Sequence, residues 1–273
     1  MAAVLFSWLS QRLYRSHKIA FKTLFIFFLL QLSVHDLLDS CNSYGTGLLE
    51  PFIHQRFTIN LLYVADPLFS IWLLIAALLL LISKKSNPTR IKWVFAGIFL
   101  SLFYLCFAEF NKLTINRQVE QSLQVSQIKH KDYFSTPTPF NSLLWYIVVA
   151  SDSGYYIGYR SVFDSQEELI PFTYFARNER ILRSVDSHLE TEDLIHFANG
   201  YYTVEERNGT IVLNVLRFGQ ILGWEYPQAR FVFHYFLNSM SDNTLVVQRG
   251  RLEGWNKKTI KTMLDRILGR MKK

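Results

Sequence analysis

Three stretches of this chain are too long and too apolar for ordinary strands or loops, and all three fall within residues 1–111. The most extreme contains Trp72-Leu73-Leu74-Ile75-Ala76-Ala77-Leu78-Leu79-Leu80-Leu81-Ile82, inside a segment from about Leu61 to Ser83. Another runs from about Ile19 to Leu38, and a third from about Ile91 to Phe110. Each is close to the ~20 residues that a helix needs to cross a bilayer. One such stretch alone reads equally well as a buried core helix. Three in succession, with Lys and Arg at their flanks, predict a membrane part of about three spanning helices.

The distribution of charge supports that division. Residues 1–111 hold only five acidic side chains (Asp36, Asp39, Glu50, Asp66 and Glu109), while the other 17 of 22 lie beyond them. Basic residues cluster at Arg12, Arg15, Lys18 and Lys22 and again at Lys84, Lys85, Arg90 and Lys92. The cytoplasmic flanks of spanning helices favour Lys and Arg, so membrane topology accounts for the net charge of +7 better than nucleic acid does. The same rule places the start of the chain and the 84–92 loop inside, and residues 112–273 outside. A cleavable signal peptide is not expected, because the apolar opening Ala2–Leu9 precedes its charges rather than following them. Cys41 and Cys106 make neither a disulfide framework nor a zinc-ribbon spacing.

Beyond Asn111 the pattern changes. Residues 112–139 read as a linker, polar and helical over 112–132 and closed by Thr136-Pro137-Thr138-Pro139. Residues 140–273 read as a β-rich domain of the α+β class. Leu143–Ala150 and Gly154–Val162 flank a turn at 151–154. Tyr201–Glu206 and Thr210–Phe218 flank Asn208-Gly209, a strong hairpin signal. Ala229–Leu237 and Thr244–Gly250 form a third pair, and residues 186–198 a helix. Together these predict an antiparallel sheet with a few helices. In the last segment, Ile260, Met263, Leu264, Ile267, Leu268 and Met271 recur at helical spacing among basic residues. Such a helix either docks on the sheet or lies on anionic lipid.

The polar residues that invite a functional reading sit at the end of the first apolar stretch. His35 and Asp39 are four apart, so on a helix they share a face, and Asn42 continues that stripe. Ionisable groups beside hydrocarbon are costly, which makes such a pair a candidate site, and a His next to a carboxylate suggests a metal. A helix-end pair bonded only to its neighbours is the plainer alternative. His54 reads as solvated, and His130, His188, His196 and His234 as structural, since none has ligand spacing. No phosphate-binding Gly-rich loop, Gly-x-Ser-x-Gly elbow or Cys-x-x-Cys pair occurs. The tail's 20 basic and 17 acidic residues are too balanced for a nucleic-acid partner.

The pattern His35-x-x-x-Asp39-x-x-Asn42-x-Tyr44-Gly45-Thr46, then Pro51-Phe52 and Asp66-Pro67-Leu68-Phe69, resembles the YdjM/YfhP-type inner-membrane proteins, described as membrane-bound metal-dependent hydrolases. The likeness covers about residues 20–85. Pro139-Phe140-Asn141-Ser142-Leu143-Leu144-Trp145-Tyr146 and Leu216-Arg217-Phe218-Gly219 look like phrases from the tails of longer members. Family members carry a further N-terminal region with Thr-His, Pro-Asp-x-Asp and His-Arg-Gly-x-Thr-His-Ser motifs, and His17 here does not begin one. The chain is thus expected to correspond to the family's C-terminal two-thirds.

The resemblance implies a multi-pass inner-membrane hydrolase acting on an ester or phosphoester. It implies a divalent metal such as zinc, held by His35 and Asp39, that activates water. A hydrolytic site needs about three protein ligands and an open position. Asp66 is the candidate catalytic residue, as a third ligand, an orienting partner or a base, although alone it fits a helix cap equally well. Asn42 and Tyr44 are candidate substrate-binding residues. The bilayer and an unidentified substrate are the expected partners. The alternative is a non-catalytic anchor carrying a β-rich domain that binds a partner or envelope component.

Overall fold

A helix that begins as a membrane-type span and ends inside a β-sheet domain organises most of this molecule. It was seen in a computed structural model, which describes residues 2–14, 19–50, 52–53, 56–184, 188–207, 209–237 and 255–270. The chain forms two compact units, Met1–Asn60 and Leu61–Lys273.

In the first unit, α1 (Ala2–Leu13) packs on α2 (Phe21–Ser40), with the Phe6 and Phe28 rings 5.7 Å apart. α2 has 20 residues, no acidic side chain in its first turn and a run of Phe, Leu and Ile exposed along its length. Such a surface suits lipid rather than water.

The second unit opens with α3 (Pro67–Ile82) and α4 (Arg90–Val125), two helices joined by a short turn. Four contacts hold them side by side. At one end Tyr104 donates its hydroxyl to Asp66 Oδ2 (2.8 Å). Next, Ser101 Oγ donates to the Phe69 carbonyl (3.0 Å). In the middle, Gly97 lets the backbones close: a Cβ there would stand 2.7 Å from the Ala76 Cβ and 3.1 Å from the Trp72 carbonyl oxygen. At the other end Arg90 Nη1 donates to the carbonyls of Leu80 (2.6 Å) and Ser83 (2.7 Å), satisfying groups that the end of α3 would leave open. Small residues and polar cross-bonds are how helices associate where lipid removes the hydrophobic driving force.

Among the described residues, α2 and α4 are long and apolar enough to cross a bilayer, while α3 is a shorter apolar helix of 16 residues. The second apolar stretch thus starts its helix at Pro67, because Asp66 and Pro67 cap it there and residues 61–66 are not helical.

α4 runs for 36 residues through the position expected to part span from linker. Its second half turns one face toward the sheet domain. Ile115, Val119 and Leu123 are fully buried against Trp145, Ile147, Val149 and Ile170. These belong to or border a four-stranded antiparallel sheet, β1 (Asp132–Pro137), β2 (Leu144–Ala150), β3 (Gly154–Ser161) and β4 (Thr173–Ala176), in that order. Alternate β2 residues Tyr146, Val148 and Ala150 point the other way, into a second core with Tyr155, Leu216, Trp224 and Phe231. Both faces of β2 are therefore covered, which is why its seven residues are all buried and read as a continuous apolar run.

The second core is closed by a three-stranded sheet, β5 (Tyr202–Arg207), β6 (Thr210–Gln220) and β7 (Phe231–Phe236). Tyr146 donates across it to the Leu216 carbonyl (3.0 Å). α5 (His188–Phe197) follows a short 3-10 turn, Glu179–Ser184. The last helix, α6 (Lys257–Ile267), starts at an Asn256 capping box and buries Met263 and Ile267 in the same core. Of the two alternatives for this segment, docking on the sheet is the one realised. The strand expected at Thr244–Gly250 lies outside the described residues, as do His17, Pro51, His54 and Asn208.

Replacing Gly97 by Leu should therefore force α3 and α4 apart. The expected loss is about 1–3 kcal/mol, seen as a lower unfolding midpoint of the purified chain in detergent. An unchanged midpoint would show that the close approach at Gly97 contributes nothing.

Candidate functional site

The end of α2 presents the residues that the sequence singles out. His35 Nε2 and Asp39 Oδ2 are 3.5 Å apart on one helix face, with side chains 69% and 50% exposed. The chain then turns. Asn42 Oδ1 accepts from the Tyr44 backbone N–H (2.8 Å), and the Asn42 carbonyl accepts from Thr58 Oγ1 (2.6 Å). Gly45 takes φ +68°, where a Cβ would meet the Phe57 carbonyl oxygen at 2.5 Å. Thr46 and Phe57 exchange backbone hydrogen bonds of 3.0 Å, and Ile59 N–H donates to the Ser40 carbonyl (2.7 Å).

The Asn-x-Tyr-Gly-Thr segment thus ties the 42–59 loop back onto α2. Asn42, buried at the turn, spends its side-chain oxygen on that task. Tyr44, half-buried, lies two residues on in the same turn. His35 and Asp39 are brought together, and so are Asn42 and Tyr44.

Asp66 belongs to the second unit, where its side chain is buried. Oδ1 accepts from the backbone N–H groups of Leu68 (2.9 Å) and Phe69 (3.4 Å), and Oδ2 accepts from Tyr104. It is the N-cap of α3: Oδ1 caps that helix, and Oδ2 ties it to α4.

The donor set can be tested against a metal. Two ligands held ~2.0–2.1 Å from a tetrahedral zinc ion stand ~3.3 Å apart, so the His35–Asp39 spacing fits two neighbouring positions. Yet no group of three His, Cys, Asp or Glu side chains placed to hold an ion occurs among the described residues. The set supplies two ligands where hydrolysis calls for about three, so it does not fit a complete hydrolytic centre. Cys41 is no substitute, since its thiol donates to the Leu37 carbonyl.

A second group of charged side chains, which sequence reading passed over, lies in the β-rich domain. β4 pairs with β3 only over Gly154–Ile157, so the rest of β3 has an open edge. Arg266 of α6 fills part of that edge. Its Nη2 donates to the Tyr159 carbonyl (2.9 Å), and Nη1 and Nη2 grip both oxygens of Asp164 (2.8 and 2.9 Å). Asp164 Oδ2 also accepts from Ser161 N–H (2.8 Å). Arg160 is fully buried beside them: Nε donates to Gln118 Oε1 of α4 (2.6 Å) and Nη2 to the Ser165 carbonyl (2.5 Å). These residues border a cleft of about 820 Å³. Burial pulls the Arg160 guanidinium below its ordinary value, opposed by Asp164 and Glu168. Burial likewise raises the Tyr159 phenol on the cleft's wall. The only sequence signal was an Arg at the end of the apolar, aromatic strand Gly154–Ser161.

Residues 1–115 match the YdjM inner membrane protein family. The N-terminal region carries this likeness, over more of the chain than the 20–85 segment that suggested it, and the match stops short of the β-rich tail. No curated protein and no solved structure matches the chain.

If Asp66 acts as a cap and cross-link, Asp66→Ala should cost about 1–2 kcal/mol of stability. Tyr104→Phe should then cost less in that background than in the wild type. A double-mutant cycle from denaturant unfolding checks this. Strict additivity would remove the cross-link to Tyr104.

Proposed function

We propose that this protein is a multi-pass inner-membrane protein that holds a β-rich binding domain fixed at the bilayer surface. The observation that carries this reading is the continuity of α4. Its first half is apolar and its second half is built into the sheet's core, with no break between them. A helix of 36 residues is about 54 Å long, enough to cross the ~30 Å hydrocarbon layer and still reach well into the domain. Such a mounting keeps the domain at a set distance from the membrane, as a binding module at the bilayer surface requires.

In this reading α3 is a third membrane helix. It is short, but its polar ends are covered by Arg90 and Tyr104, and the α3–α4 hairpin inserts as one element. The hairpin sets Lys84, Lys85 and Arg90 at the end opposite the sheet domain. Basic loops stay in the cytoplasm, so the β-rich domain lies on the far side. An impermeant maleimide applied to spheroplasts checks this on chains with Cys41→Ser and Cys106→Ser. Gln166→Cys should label without permeabilisation and Ser86→Cys only after it. The reverse pattern would invert the topology.

A metal-dependent hydrolase is the second reading, and one observation favours it: the His35–Asp39 pair has ligand spacing and is open to solvent. Further ligands would come from outside the described residues. Elemental analysis of the purified chain separates the two. The binding reading expects far less than one equivalent of divalent metal, unchanged by His35→Ala. One equivalent of zinc, lost in both His35→Ala and Asp39→Ala, would overturn it in favour of the hydrolase.

A further inference from the structure

We propose that the cleft between the open edge of β3 and α6 binds a phosphate group, carried either by an anionic lipid or by a small soluble phosphate ester. This rests on the reading of the β-rich domain as a binding module, and names its ligand.

The cleft holds more buried positive charge than negative. Asp164 is neutralised by the paired grip of Arg266 and is fixed further by Ser161 N–H. Arg160 is then a second guanidinium sharing that one buried carboxylate with Arg266. Its Nε stands 3.9 Å from Asp164 Oδ2, beyond hydrogen-bond reach, and its side chain is only 2% exposed. Nε and Nη2 are used by the neutral acceptors Gln118 and Ser165. A buried cation is costly unless an anion meets it. Arginine's forked donors suit phosphate oxygens in particular.

Two further features fit a phosphate. Trp224 lines the same cleft, and its indole N–H is buried with no acceptor among the described residues. At the mouth Arg270 adds positive charge, while Glu168 and Glu225 oppose it. Depth matters as well. Gln118, which orients Arg160, lies eight residues beyond Phe110, the end of the apolar run, or about 12 Å along the helix. The cleft therefore stands a few ångströms above a headgroup layer of ~5–8 Å. A soluble ester reaches that height freely, and a lipid phosphate reaches it when its headgroup is drawn a few ångströms out of the layer.

The test uses the full chain in phosphatidylcholine nanodiscs, titrated with inorganic phosphate and followed by calorimetry. Saturable binding is expected. Arg160→Gln should weaken it by about tenfold or more, the loss of a charge-assisted bond, and Lys261→Gln on the outer face of α6 should leave it unchanged. Glu168→Gln removes a rim carboxylate and should tighten binding several-fold, a gain that misfolding cannot produce, so it decides the matter if Arg160→Gln does not fold. Nanodiscs containing phosphatidic acid identify the source. Lipid that abolishes phosphate uptake marks a headgroup site, and undiminished uptake marks a soluble ester. No saturable binding, or binding that neither Arg160→Gln nor Glu168→Gln alters, would overturn the proposal. The metal measurement on His35 and Asp39 shares no residue with this one, so either result can fail alone.

Discussion

The burial of Ile115, Val119 and Leu123 against Trp145, Ile147 and Val149 is the contact on which the rest of the second unit depends. Each such side chain contributes roughly 1.5–3 kcal/mol when removed from water. Polar bonds place the contact in register: Asn111 to the Ser142 carbonyl, Ser135 to Asn116, Arg160 to Gln118, and Ile170 N–H to Ser122. With one face of the sheet sealed by α4, its other face is free to build the core shared with β6, β7 and α6. The same helix then carries the apolar surface that pairs with α3. Membrane part and folded domain are joined by a shared element rather than by a tether.

Much of this was legible from local patterns. Apolar, aromatic-rich runs and turn residues placed β2, β3, β5 and β6 within a residue or two at most ends, because each hairpin is closed by its own short turn. The first apolar stretch became α2, and the i, i+4 spacing of His35 and Asp39 did bring the two side chains onto one face. What was not legible was long-range. The change of composition after Asn111 looked like a boundary, yet Asn111–Val125 contains neither Pro nor Gly to stop a helix, and what altered was the surroundings of the helix rather than its backbone. Arg160 and Arg266 are separated by more than 100 residues, and only the fold brings both to Asp164.

The two polar groups of the N-terminal region illustrate how one chemistry serves different ends. Asp66 has three donors around it and solvent around none of it, so it is a fixed structural anion. Asp39 has one imidazole neighbour and wide exposure. Side chains of the first kind set geometry, whereas those of the second kind stay available to whatever arrives from outside. Likeness to the YdjM inner membrane proteins spans both, and the residues of the motif divide accordingly: Asn42, Gly45 and Thr46 shape a loop, and the His–Asp pair stands at its edge.

In the proposed topology, an uninterrupted α4 would make the domain a pointer to the state of the lipid around it. Spanning helices tilt to match the thickness of their bilayer, and a stiff rod passes its angle undiminished to whatever is bolted to its far end. Gln118 turns with that rod and carries the guanidinium of Arg160 with it. In the proposed topology, leaning the foot of the helix by a few degrees would swing the mouth of the cleft toward or away from the membrane, with no hinge in between to absorb the motion.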